Sequence, residues 1–418
     1  MNCLLTVTAL VLLAAAYEQV IVPIHNFGGF GMAESSALDM WQVAVVAGLA
    51  AVILPNKAAS PGDLFLWLQF GVSIIPAGVL VAKGGADSEA FWLPLLGLGV
   101  VQIARFKRNQ FRTDERAALR VDGRVVRICA VLTVSILAAV IVTVRGKWNL
   151  NLEDVYLVRE EVRDLYSPLL QYLLPTAGMA LLPFLVVVAL RNRRYLAVVA
   201  LEIVGVAFFA FSSHKAMAFY PIAVAGGWFV ARQINSHRWI LLGIIAISVA
   251  SIALASLEGP AVWVSGLSLH RILFLPVQIT NFYIDYFSNH PRLLWAESKV
   301  TLGLMSSGLP SDAAQFIGEE YFGRPDVVAN TGWISTGYMN AGVIGIIIYG
   351  VVIGRLYAFI DAKAQQLGRQ FVTALFLVPV ATIVLTADLL TTVLTHGLGV
   401  VVVLVLVCSQ AVGERGEQ

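Results

Sequence analysis

Stretches of apolar residues long enough to cross a bilayer recur about twelve times along this 418-residue chain, and nothing else constrains its fold so strongly. They fall near residues 3–24, 37–54, 63–82, 89–104, 125–144, 167–190, 195–211, 216–231, 239–256, 333–355, 371–387 and 390–409. Inside a bilayer the backbone finds no water to bond, so each stretch is expected to be a helix that satisfies itself. The expected fold is an all-α polytopic membrane protein, with residues 1–418 forming a single integral membrane domain. Composition agrees, because 58% hydrophobic and 13% charged residues cannot cover a water-soluble particle of this size. Cys3, Cys129 and Cys408 stand far apart in apolar stretches and suggest neither a disulfide framework nor a metal site. The N-terminus lacks a basic stretch and a small-residue cleavage signature, so the first apolar run is expected to be a retained anchor.

The distribution of Lys and Arg sets the expected orientation. If the stretches alternate in direction, one side receives Arg105, Lys107, Arg108, Arg112, Arg116, Arg120, Arg124 and Arg127. The same side receives Arg191, Arg193 and Arg194, then Arg232 and Arg238, then Lys363 and Arg369. That side is expected to be cytoplasmic, with both termini on it. Glu202 lies within an apolar stretch, where a carboxylate is costly, and is expected to pair with Arg191, Arg193 or Arg194. No P-loop pattern is present, which argues against an ATP-driven transporter.

One long segment, 257–332, is not expected to span and is expected to form a large loop on the opposite side. Its aromatic and half-apolar character argues against disorder, and long ordered loops tend to be functional. On a helix, Arg271, Gln278, Asn281 and Asp285 fall within about a quarter of the circumference, opposite Ile272, Ile279, Phe282, Tyr283, Tyr286 and Phe287. An amphipathic helix over roughly Leu269–Phe287, kinked at Pro276, is expected. Its stripe of one guanidinium, two amides and one carboxylate reads either as an interfacial helix meeting water or as a binding surface. The turn Ser212-Ser213-His214-Lys215 sets a basic residue on the side that the Lys and Arg distribution disfavours. Snorkelling would explain Lys215 blandly, and a lipid-linked phosphate at the boundary would explain it functionally. Further along, Tyr321-Phe322-Gly323 and Asn330-Thr331-Gly332 lead into a stretch with Gly337, Asn340, Gly342 and Gly345. Helix capping by Asn330 or Thr331 and close helix packing at the glycines are the plain readings. Histidines are scattered without metal-ligand spacing, the adjacent pairs Glu153-Asp154 and Glu160-Glu161 point apart on a helix, and no G-x-S-x-G is present.

The ordered set S-S-H-K, H-R-I-L-F-L-P, N-F-Y-x-D-Y-F-S, Y-F-G, N-T-G and G-Y-M-N-A-G-V-I-G, over about Ser212–Ile360, resembles the Wzy-type oligosaccharide repeat-unit polymerases, or O-antigen polymerases. The resemblance implies a GT-C-like fold in the bacterial inner membrane and a glycosyltransferase acting on the periplasmic side. Such an enzyme moves a growing glycan from one undecaprenyl diphosphate carrier onto a repeat unit held on another, with no metal ion, cofactor or nucleotide sugar. Implied partners are the lipid-linked donor and acceptor, bilayer lipid, a chain-length regulator and a flippase, with no nucleic acid. The chemistry asks for cations against the leaving diphosphate, for which Arg271 and Lys215 are candidates. It also asks for an acceptor of the sugar hydroxyl's proton, for which Asp285, His270 and His214 are candidates. Relatives commonly carry Arg where Lys215 stands, so a bidentate role for this residue is open. Gln278, Asn281, Glu320, Tyr321 and Asn330 are candidate glycan contacts. An O-antigen ligase shares the donor and differs in its acceptor, and a lipid-linked-oligosaccharide flippase makes no bond at all.

Overall fold

The computed structural model describes residues 1–105, 121–151, 165–257, 259–298, 301 and 304–416. The basic residues Lys107, Arg108, Arg112, Arg116 and Arg120 and the acidic pairs Glu153-Asp154 and Glu160-Glu161 lie outside them. Among the described residues all regular structure is helical. Among the described residues eight helices are long and apolar enough to cross a membrane: Asn2–Gly28, Pro61–Lys83, Gly123–Thr143, Pro168–Arg191, Tyr195–Ser212, His237–Leu254, Val262–Asn289 and Trp333–Leu367. Shorter apolar helices follow at Met40–Ile53, Glu89–Ala104, Ala216–Val230, Arg369–Leu385 and Leu398–Gln410. The chain is thus a helical polytopic membrane protein. The segment expected as a non-spanning loop, 257–332, begins with a 28-residue helix that meets the requirement for a span. The last expected stretch, 390–409, is broken, with Leu389–Leu394 ending before Leu398.

Four of these helices carry a π-helical segment, and each ends two residues before a proline. The segments are Tyr17–Ile21 before Pro23, Phe70–Ile74 before Pro76, Ala177–Leu181 before Pro183, and Gly266–Phe274 before Pro276. Proline gives no N–H to the ladder, and its ring presses on the carbonyl four residues back. Widening the preceding turn absorbs that clash without ending the helix.

The chain divides into two compact units. The first comprises Met1–Asn109, Ile234–Ala358 and Ala381–Leu390. One of its ends is tied by charge. Arg105 pairs with Asp63 at 2.9 Å, with side chains 5% and 0% exposed. Asp63 also accepts the Ser60 N–H, while Arg105 donates to the Ser60 hydroxyl at 2.5 Å. Beside this knot His237 stacks on Trp67 and bonds Asn2. At the other end of the Asn2–Gly28 helix, Lys83 pairs with Glu18 at 2.7 Å, and Ala33 bonds the Lys83 carbonyl.

The second unit comprises Gln110–Gln233, Phe359–Val380 and Thr391–Gln418. Its connectors gather at one end: Arg191 donates to the Leu367 carbonyl at 2.9 Å and lies over Phe371, and Arg369 donates to the Gln233 carbonyl at 3.1 Å. Glu202 makes no ion pair with Arg191, Arg193 or Arg194, contrary to the expected pairing. The guanidinium of Arg191 meets instead the Leu367 carbonyl and the Phe371 ring of two other helices.

Candidate functional site

The Val262–Asn289 helix organises the first unit's candidate site. Pro260 opens it, where a missing N–H costs nothing, and it ends just before Pro291, which disfavours a helical residue in front of it. Segments distant in sequence meet along it. Phe282 stacks on Tyr321 with ring centroids 4.4 Å apart, and the Tyr321 hydroxyl donates to Asp285 Oδ2 at 2.6 Å. The Tyr283 hydroxyl donates to the Ala329 carbonyl at 3.2 Å. Thr331 donates to Ser335 at 2.6 Å, and Ser335 to Thr280 at 2.9 Å. One turn on from Ile284, Ser288 bonds the Tyr338 hydroxyl at 2.9 Å. At Tyr321 burial first, then its bond to Asp285 and the nearby Glu320 carboxylate, push the phenol well above the usual range. It stays a neutral donor holding one oxygen of Asp285.

Trp333–Leu367 is not one straight helix. Ala341 (φ −148°, ψ 25°) and Gly342 (φ 61°, ψ −141°) break it. In a straight helix Gly337 and Gly345 would stand about 12 Å apart. Here a Cβ on Gly345 would come within 1.9 Å of the Gly337 carbonyl oxygen. The chain therefore doubles back, and Ile334 and Ile346 both meet Gly97. Only glycines allow that approach, and Gly342 supplies the left-handed φ of the reversal.

A strap, Arg292–Trp295, lies over this break. Leu293 N–H bonds the Met339 carbonyl at 3.0 Å, Leu294 N–H the Asn340 carbonyl at 3.1 Å, and Trp295 N–H the Asn340 side chain at 2.8 Å. The Trp295 indole donates to Tyr349 at 2.9 Å, and Tyr349 donates to Asp388 at 2.8 Å. Leu294 and Trp295 hold φ of 47° and 61°. Such backbone costs about 1–2 kcal/mol per non-glycine residue, which hydrogen bonds worth about 1 kcal/mol each offset. Arg292 reaches from the strap to lie 4.2 Å over the Tyr338 ring.

The expected stripe does not survive as one face. Phasing at 100° per residue fails through the nine-residue π segment that holds Arg271. Arg271 and Asp285 are exposed, whereas Gln278 is 6% exposed and donates to the Gly29 carbonyl at 3.3 Å. Asn281 lies between them, its side-chain oxygen enclosed and without a donor. His270 is buried, stacked on His25 at 4.6 Å and close to the rings of Phe27 and Phe30, with its Nε2 enclosed and without a hydrogen-bond partner. Glu320 is exposed beside Tyr321, and Asn330 is exposed after the Ala329 anchor. Thr331 turns its hydroxyl to Ser335 and does not cap the following helix with it. His214 and Lys215 belong to the second unit, where the His214 ring bonds the Ser212 carbonyl at 2.9 Å and Lys215 opens the Ala216–Val230 helix.

Sequence reasoning passed over Arg292 and the Trp295–Tyr349–Asp388 chain. The available signal was a lone arginine after His290-Pro291, just downstream of the N-F-Y-x-D-Y-F-S run. Among the described residues no group of three or more His, Cys, Asp or Glu side chains is placed to hold a metal ion. No protein-family model, curated protein or solved structure matches the chain.

Proposed function

We propose that this chain is an oligosaccharide repeat-unit polymerase of the bacterial inner membrane, a metal-independent glycosyltransferase with about twelve spans and a GT-C-like arrangement, acting on its periplasmic side. The observation that carries this reading is the convergence on one helix of the segments that carried the resemblance. N-F-Y-x-D-Y-F-S supplies Phe282, Asp285 and Ser288. Y-F-G supplies Tyr321, N-T-G supplies Thr331, and G-Y-M-N-A-G-V-I-G supplies Tyr338 and the helix break.

In this reading an acceptor sugar hydroxyl attacks the anomeric carbon of the donor glycan. The bond from that carbon to the diphosphate oxygen breaks, and the lipid diphosphate leaves with the electron pair. Asp285 takes the hydroxyl proton, since the residue is exposed and Tyr321 fixes its Oδ2. Exposed Arg271 offers a guanidinium to the leaving phosphates.

The test is purified protein with lipid-linked repeat unit. A polymer ladder supports the reading, transfer only to a lipid A-core acceptor makes the chain a ligase, and no bond formation leaves a flippase. In a polymerase-deficient strain, Arg271→Ala and Lys215→Ala are each expected to abolish long-chain polysaccharide while the protein still inserts. A normal glycan ladder from either variant removes that residue from the mechanism.

A further inference from the structure

The guanidinium of Arg292 is not consumed by the fold. Its Cζ lies over Tyr338, which orients the plane but accepts no N–H. Nη1 is enclosed and has no acceptor in the protein, and among the described residues no carboxylate pairs with Arg292. A cation held this way beside a membrane segment is costly unless an anion completes it. What lies next to it is the helix break. A Cβ on Gly342 would meet Arg292 Nε at 3.5 Å and Nη2 at 3.7 Å, so the guanidinium faces the reversal itself. There a new helical run begins after Gly342, and the first N–H groups of a helix lack an intrahelical carbonyl. The strap keeps this juxtaposition fixed: Leu293, Leu294 and Trp295 are each bonded to Met339 or Asn340, directly before the break. A planar fork of donors, an aromatic ring fixing its plane and a rigid backbone together suit a tetrahedral oxyanion.

We propose that Arg292 and the helix break at Ala341–Gly342 form a binding site for a phosphate-bearing headgroup, the diphosphate of a lipid carrier. The carrier's identity rests on the polymerase reading; the anion chemistry does not. Tyr338 acts as a positioning residue through its ring and through its bond to Ser288.

The experiment uses the full-length protein in lipid nanodiscs, titrated separately with inorganic pyrophosphate, undecaprenyl diphosphate and neutral undecaprenol, read by thermal unfolding. Stabilisation by undecaprenyl diphosphate and not by undecaprenol is expected. Added stabilisation by pyrophosphate places the affinity in the anion alone, and its failure to act places it in the lipid-borne headgroup. Arg292→Gln is expected to weaken binding at least tenfold with unchanged chromatographic behaviour. Wild-type affinity in Arg292→Gln, or equal stabilisation by undecaprenol, overturns the proposal. Should that variant not accumulate, the unaltered protein suffices: phenylglyoxal modification of Arg292, mapped by mass spectrometry, is expected to slow at saturating undecaprenyl diphosphate. Arg324, exposed and paired with Asp326, serves as the internal control. An unslowed rate at Arg292 also overturns the proposal. Binding without polymer formation would sink the polymerase reading and leave this site standing.

Discussion

Replacing Asp63 by Asn changes one atom's identity and removes one charge from the most enclosed ion pair in the first unit. The side chains of Arg105 and Asp63 are 5% and 0% exposed, and the pair is 2.9 Å long. Asn keeps an oxygen to accept the Ser60 N–H at the start of the Pro61–Gln69 helix, so the cap contribution of about 1 kcal/mol is retained. What is lost is the charge that balances Arg105. Leaving one member of a buried pair uncompensated costs about 3–5 kcal/mol, and Asp63→Asn is expected to destabilise the protein by that amount. Arg105→Met is expected to cost about as much, for the mirror reason. The double variant Asp63→Asn with Arg105→Met strands no charge. Its cost should fall short of the sum of the two by about 3 kcal/mol. Denaturation of the purified protein in mixed micelles of rising SDS fraction measures all three. A cost below about 1 kcal/mol for Asp63→Asn, or strict additivity in the double variant, would refute the reasoning, because either would mean that solvent already balances Arg105.

Gly345→Ala sets a Cβ 1.9 Å from the Gly337 carbonyl oxygen, a backbone atom that cannot rotate away. The doubled-back helix must splay, and overpacking of this kind costs about 1–3 kcal/mol; a melting temperature equal to wild type would show that the two glycines do not touch. Tyr321→Phe removes a phenol whose folded pKa lies above its unfolded value. That group adds stability below about pH 10, lost as pH rises toward the folded value. Wild-type melting temperature is therefore expected to fall more steeply than that of Tyr321→Phe in an alkaline series from about pH 9 upward, and parallel curves would dismiss the Asp285–Tyr321 bond. In the glycan-ladder assay, Asp285→Asn is expected to stop chain extension while His270→Asn leaves it running, since only Asp285 faces solvent.

The helices were legible because bilayer thickness imposes a length that composition alone can meet. Less legible was anything that alters helical phase. Pro276 reads in sequence as a kink, yet the chain keeps its helix and changes register through Gly266–Phe274 instead. Uniform phasing from Arg271 through Gln278 to Asp285 therefore does not hold across that segment. Periodicity also cannot say which polar residue is turned inward, and Gln278 is buried because Gly29 offers it a carbonyl from another helix end. Gly337, Gly342 and Gly345 announced close packing, but the same letters serve a straight helix pressed on a neighbour and a helix folded on itself. What separates the two is the partner, and the partner of Gly345 is Gly337.

That reversal explains why the acceptors and donors of the candidate site are where they are. Membrane-depth backbone that is not helical survives only where protein or a polar cavity satisfies it. Here the satisfaction comes from the strap, whose own Leu294 and Trp295 sit in strained backbone to provide it. A purely structural break would be cheaper to mend, by an alanine at Gly342 and an unbroken helix, than to bridge with strained residues and an arginine lacking a full set of acceptors. The Ser288–Tyr338 bond links the break to the helix bearing Asp285, and Arg292 lies on the other side of the same tyrosine ring. Tyr338 thus touches both the helix that holds the candidate proton acceptor and the guanidinium that would hold the leaving group. A reaction that moves a sugar from a diphosphate to a hydroxyl needs those two functions held in register.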